Sequence, residues 1–176
     1  MILLEKEDFT GKYNIPDATS RYADDDVQEA IDKYEPVYIR KLFGSVLGNL
    51  IIEYLEDDQS PENTDYDYVI DPFSSDNSGL CGNKVAESLG LKEFLKACVF
   101  YEYQKNGLEN TPAGVVDTKA ETGESQAPAS TLRFAENKFN DMIDTAEAIQ
   151  WYCYNHIDKF PEFNGEVFKV KAANIL

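Results

Sequence analysis

Apolar residues recur at Leu132, Ala135, Phe139, Met142, Ala146, Ile149, Cys153, Ile157 and Phe160 in steps of three and four, with no Gly or Pro between them. That spacing keeps side chains on one face of an α-helix. The sequence therefore predicts a single helix over residues 130–160, about 45 Å long at 1.5 Å per residue and well beyond the mean globular helix. Its opposite face carries Arg133, Glu136, Lys138, Asp141, Asp144 and Asp158, with Phe134, Trp151 and Tyr154 standing among them. Those three rings either pack beneath loops of the same chain or face a neighbouring subunit. The second reading makes a charged substitution at Trp151 harmless to folding and harmful to assembly.

The rest of the chain supplies partners for such a spine. Residues 1–23 read as an extended arm: Ile2, Leu3, Leu4, Phe9, Tyr13 and Ile15 are too few to fold alone and must dock elsewhere. Asp24, Asp25 and Asp26 announce a first helix, since carboxylates cap free amides and meet the positive end of its dipole. Val27, Ala30, Ile31 and Tyr34 form its apolar face up to Pro36, where the helix either kinks or a second one begins. The pattern resumes through Leu42, Phe43, Val46, Leu47, Leu50, Ile51 and Leu55, with Gly44 and Gly48 spaced for a close helix crossing. From residue 89 to 103 the chain is apolar nearly all round, as a buried helix would be, and Asn106-Gly107 offers it an end.

Two long loops separate these helices, at about 57–86 and 107–129. In the first, Asp57, Asp58, Glu62, Asp65, Asp67 and Asp71 meet no basic residue before Lys84. Tyr66, Tyr68, Val69 and Ile70 are candidates there for a short strand. The aspartates lack the glycine and closing glutamate of an EF-hand, so no metal site is expected. In the second, Val115 and Val116 suit a hairpin strand. Residues 161–176 form a C-terminal arm in which Phe168 and Val170 alternate with Lys169 and Lys171, a strand signal. The fold class that follows is mainly α: a bundle of about four helices over residues 24–160, with extended arms at both ends and two long loops with room for short β-strands.

Sixteen Lys and Arg against 33 Asp and Glu leave a formal charge of −17, which disfavours a grip on phosphate backbones or anionic membranes. No apolar run approaches a membrane span, and the charges after Leu4 do not follow a signal peptide. Cys98 and Cys153 fall on apolar stripes as core residues, while Cys81 sits in a Gly-rich loop. His156 is the sole histidine, which leaves no zinc set and permits a nucleophilic couple only if a cysteine meets it in space. Without GxGxxG, P-loop, GxSxG or HExxH, no catalytic residue and no cofactor is expected.

The order of parts carries a likeness. An N-terminal arm, a helix pair, an apolar helix ending in Phe100-Tyr101-Glu102-Tyr103, a polar loop with Asn110-Thr111-Pro112-Ala113-Gly114-Val115-Val116, and a closing helix with Trp151-Tyr152-Cys153-Tyr154-Asn155 before Phe160-Pro161-Glu162-Phe163 together resemble the head-tail connector proteins of tailed bacteriophages. The resemblance is closest to the adaptor or ring proteins of phages infecting Bacteroidetes, including the crAss-like group. It spans most of the chain except the acidic loop. It implies a structural protein of the virion, assembled in the host bacterial cytoplasm as a ring, commonly a dodecamer, that docks below the portal protein. Such a ring meets other connector or tail proteins and extends the DNA channel used in genome ejection.

Within that picture Phe134, Trp151, Tyr154, Phe168 and Val170 are the expected subunit contacts. Asp57, Asp58, Glu62, Asp65 and Asp67 are the expected acidic surface, past which DNA slides without specific binding; the same acidity would also serve solubility before assembly. The high negative charge admits a different reading, an acidic DNA mimic that occupies a basic site on a nucleic-acid enzyme. That mimic would need its carboxylates in spaced rows on a rigid face.

Overall fold

The computed structural model describes residues 2–15, 23–57, 63–77, 84–109 and 128–169. Among them are six α-helices, α1 (Ala23–Phe43), α2 (Ser45–Glu56), α3 (Thr64–Ile70), α4 (Leu91–Glu109), α5 (Pro128–Asn140) and α6 (Ile143–Asn155). A two-stranded antiparallel hairpin joins β1 (Phe73–Asn77) to β2 (Lys84–Ser88), with Phe73 opposite Ser88 and Asn77 opposite Lys84. Helix α4 packs against both α1 and α5, and α6 packs on β2. The mainly helical class expected from the sequence is the one observed.

Helix α4 is buried at Leu91, Phe94, Leu95, Ala97, Cys98, Val99, Phe100 and Tyr101. Its all-round apolarity thus has the predicted cause, although it runs past Asn106-Gly107 to Glu109. Helix α1 passes through Pro36 without ending; the carbonyl left without a donor belongs to Asp32, an exposed residue that water can serve. The chain turns instead at Gly44, whose φ of 87° suits glycine alone. A Cβ on Gly44 would lie 2.7 Å from the Asn164 carbonyl oxygen, and one on Gly48 would lie 2.8 Å from the Arg40 Cα. The small residues therefore serve close packing of α1, α2 and the chain beyond α6.

Three expectations are corrected. The single helix over residues 130–160 is two helices. After Phe139 the ladder tightens, with the Met142 N–H donating to the Phe139 carbonyl at 3.1 Å, and α6 restarts from Met142. Asn140-Asp141 is a pair whose side chains compete for backbone groups and weaken a helix. Turns follow Asn155, leaving Ile157 51% exposed while Phe160 is fully buried.

The proposed strand at residues 66–70 is instead α3. The Asn63 side chain caps it, accepting from the amides of Asp65 and Tyr66 at 3.0 and 3.3 Å, with Asp65 and Asp67 in the first turn where the dipole favours them. The C-terminal arm forms no strand over residues 163–169. Val115 and Val116 lie outside the described residues.

Both arms lie on the bundle. Leu4, Phe9, Tyr13 and Ile15 are buried in the core, with 3-10 turns at Lys6–Asp8 and Gly11–Tyr13 between them. Ion pairs Asp8–Lys92 (2.9 Å) and Lys12–Glu93 (3.1 Å) fasten this arm to the start of α4. At the other end, the N–H of Asn164 donates to Phe43 O at 3.1 Å, and that of Glu166 to Lys41 O at 2.7 Å. The Gln150 amide donates to Leu42 O and Glu166 O, both at 2.8 Å. The strap thereby caps the last carbonyls of α1, and Phe168 comes to rest on Tyr38, Phe94 and Phe139.

Gly165 has no room for a side chain, because a Cβ there would collide with the Leu42 carbonyl and the Gln150 amide. Gly165→Ala should therefore lift the strap and cost about 1–3 kcal/mol. In a thermal melt followed by circular dichroism that is a fall in Tm of about 3–10 °C; an unchanged Tm would mean the strap contributes nothing to the fold.

Candidate functional site

The sequence singled out two sets of residues, and the structure treats the members of each differently. Phe134 on α5 is 46% exposed; its ring meets Phe100 edge-on at 6.1 Å and the Lys138 ammonium lies 5.3 Å above it. Tyr154 on α6 is 72% exposed. Trp151, one turn earlier, is partly buried and packed against the core, with its indole Nε1 buried and lacking a hydrogen-bond partner. Phe168 is likewise partly buried, stacked on Tyr38 at 6.5 Å and edge-on to Phe94 at 5.1 Å. Val170 lies outside the described residues. Of the five aromatic and aliphatic candidates, Phe134 and Tyr154 therefore present free surface, whereas Trp151 and Phe168 spend much of theirs within the chain.

The acidic set is also divided. Asp57 is exposed and ends α2, while Asp58 and Glu62 lie outside the described residues. Asp65 pairs with Lys159 at 2.7 Å, and Asp67 accepts the Tyr54 hydroxyl at 2.7 Å while that hydroxyl accepts the Asn63 N–H at 3.1 Å. These two carboxylates thus clasp α3 to α2 and to the turn after α6. Such internal engagement occupies part of both carboxylates, and it bears equally on the acidic channel surface expected of them and on the open row of charge a DNA mimic would require.

Sequence reasoning missed other exposed apolar groups. Val46 (56%) and Leu50 (37%) stand one turn apart on α2, Val37 is 38% exposed on α1, and Val167 is 79% exposed in the strap. The signal was hidden because Val46 and Leu50 sit in a segment apolar on most sides of the helix, each next to a fully buried neighbour, Leu47 and Ile51. A run apolar on every side does not say which side faces water.

No arrangement among the described residues suggests covalent or metal chemistry. The His156 ring stacks on Tyr152 at 4.0 Å, and its Nδ1 donates to the Tyr152 carbonyl at 2.9 Å. Cys98 and Cys153 are buried, and burial pushes the Cys153 thiol up to about 12, so it stays protonated at neutral pH. No group of three or more His, Cys, Asp or Glu among the described residues could hold a metal. An open cleft of about 520 Å³ between α1 and α4 is lined by Asp26, Glu29, Lys33, Tyr34, Tyr103 and Asn106. Two of these groups satisfy each other, the Asn106 amide donating to the Tyr34 hydroxyl at 2.6 Å. No helix among the described residues is long and apolar enough to cross a membrane.

Comparison with protein-family models, curated proteins and solved structures found no match to this chain.

The packing of Trp151 against the core bears against the expectation that a charge there would spare folding. Trp151→Glu should cost about 2–4 kcal/mol by forcing a charge against the core. Trp151→Phe should cost less than about 1 kcal/mol, because the lost ring area is offset by removing a buried N–H that nothing accepts. Urea unfolding of both variants checks this, and a midpoint unmoved by Trp151→Glu would place the indole at the surface.

Proposed function

We propose that this chain is a structural subunit of a head-tail connector ring, in keeping with the likeness of its sequence to phage adaptor proteins. The observation that carries the reading is that large apolar side chains remain in water on different elements of the bundle. Val46 and Leu50 do so on α2, and Phe134 and Tyr154 do so on α5 and α6. A ring closed by head-to-tail contacts needs two unlike patches on each subunit, and a subunit that assembles has reason to keep such groups exposed.

The formal charge of −17 supports the same reading, because a channel through which DNA slides works better when its wall repels phosphate. On this proposal the partners are further copies of the chain in a ring, commonly of twelve, the portal protein above, and other connector or tail proteins below. The product is part of the virion, assembled in the host bacterial cytoplasm, and it takes no part in catalysis.

The test is assembly. Purified protein, alone and mixed with portal rings, would be sized by light scattering and imaged by electron microscopy, with closed rings or ring-on-portal complexes expected. Tyr154→Glu and Leu50→Glu should leave the circular dichroism melt in place while weakening association at least about tenfold, since an interface anchor contributes upward of 1–2 kcal/mol. A chain that stays monomeric at high concentration and never binds the portal would sink the proposal.

A further inference from the structure

The side chain that least fits its surroundings is Glu35. It lies in the middle of α1, immediately before Pro36, and is 1% exposed. Its partners are main-chain groups of the N-terminal arm: the amides of Leu3 and Leu4 both donate to Oε1, each at 2.9 Å. These bonds hold the start of the arm whose later anchors are Phe9, Tyr13 and Ile15. Because both short bonds converge on one oxygen, Oε2 can carry a proton without giving up either of them. Neutral or ionised, the carboxyl can still accept the arm; what differs is the cost of its burial.

Among the described residues, several charged side chains on the arm, α1 and α4 have partners of their own. On the arm, Asp8 takes the Glu5 N–H and Lys92, and Lys12 pairs with Glu93. On α1, Asp32 accepts from Gln28 and the Lys33 ammonium lies over Tyr34. On α4, Glu102 accepts the Tyr38 hydroxyl at 2.6 Å. The amides of Leu4, Leu3 and Ile2 favour the carboxylate and work against the larger effect of burial.

We propose that Glu35 is a proton-operated latch for the N-terminal arm: the arm is seated firmly while the carboxyl is neutral, and ionisation of the carboxyl loosens it. The sign follows from what undocking does. A lifted arm lets water reach the carboxyl and returns it toward the ordinary carboxylate range, whereas in the docked state burial, the largest influence, pushes it up from 4.5 to about 7. The docked state therefore binds more protons than the undocked one across that window. Docking is strongest at the acid end, weakens as pH rises toward 7, and changes little above it. The inference stands apart from the connector reading and holds for a monomer or a ring.

Two measurements on the full chain test it. A titration of Glu-labelled protein by carbon NMR should show one carboxyl with a midpoint near 7, absent from Glu35→Gln, with the Leu3 and Leu4 amide signals moving at the same midpoint. Trypsin cleavage after Lys6, normalised at each pH to cleavage of an unstructured peptide, should be at least about tenfold faster at pH 8 than at pH 5.5 in the native protein. It should be slow at both in Glu35→Gln, whose neutral side chain keeps an acceptor oxygen. The NMR titration needs no variant, so it decides the matter even if Glu35→Gln fails to fold. A Glu35 midpoint near 4.5, or normalised cleavage that does not change with pH in the native protein, would overturn the latch.

Discussion

Three carbonyl oxygens at the end of α1, those of Lys41, Leu42 and Phe43, set the terms for the rest of the bundle. A helix leaves its last carbonyls without internal donors, and buried ones must find partners or cost free energy. Here the turn at Gly44 carries the chain away into α2, so the donors come from the far end of the sequence: the Glu166 amide, the Gln150 side chain and the Asn164 amide. Meeting that demand fixes α6 against α1 through Gln150 and lays residues 163–168 along the helix end. It also delivers Phe168 to the aromatic group around Tyr38. The glycines at 44 and 165 are consequences of the same arrangement, since each lies where a Cβ would strike main chain.

The parts of this fold that were legible in the sequence are those fixed by local pattern. Helices α1, α2 and α4 announce themselves by apolar spacing, and the Gly44 and Gly48 pair read correctly as packing because small residues one turn apart have few other uses. The break between α5 and α6 was not legible, because the stripe from Leu132 to Cys153 continues in phase across it and Asn140-Asp141 is a weak signal. Helix α3 was misread because Tyr66, Tyr68, Val69 and Ile70 favour strands. What decided the matter was the Asn63 cap immediately before the helix, which supplies hydrogen bonds that a strand would forgo. The strap was not legible because its conformation follows from carbonyls more than a hundred positions away.

The candidate surface divides along the same line. Phe134 and Tyr154 sit on helical positions opposite the stripe and are exposed as that geometry requires. Trp151 shares that face, yet its large ring covers neighbouring core, so position on the wheel understates its burial. Asp65 and Asp67 looked like free charge in a loop, and became structural once α3 brought them to Lys159 and Tyr54. A negative chain is obliged to place its few cations with care, and Lys12, Lys92 and Lys159 all serve as fasteners between segments distant in sequence.

The strap also orders events during synthesis. A polypeptide leaves the ribosome N-terminus first, so α1, α2 and α4 emerge well before residues 150–166. Until those residues arrive, the end of α1 has only water to bond, and the aromatic group around Tyr38 lacks the Phe168 ring. Contacts of such long sequence separation close late, after most of the conformational entropy has been spent. The nascent helices are thus held short of their final packing until residues 150–168 have emerged, and a copy interrupted before the strap would expose an apolar seam. For a protein that already exposes Val46, Leu50, Phe134 and Tyr154, the strap is what separates the packed bundle from an adhesive intermediate.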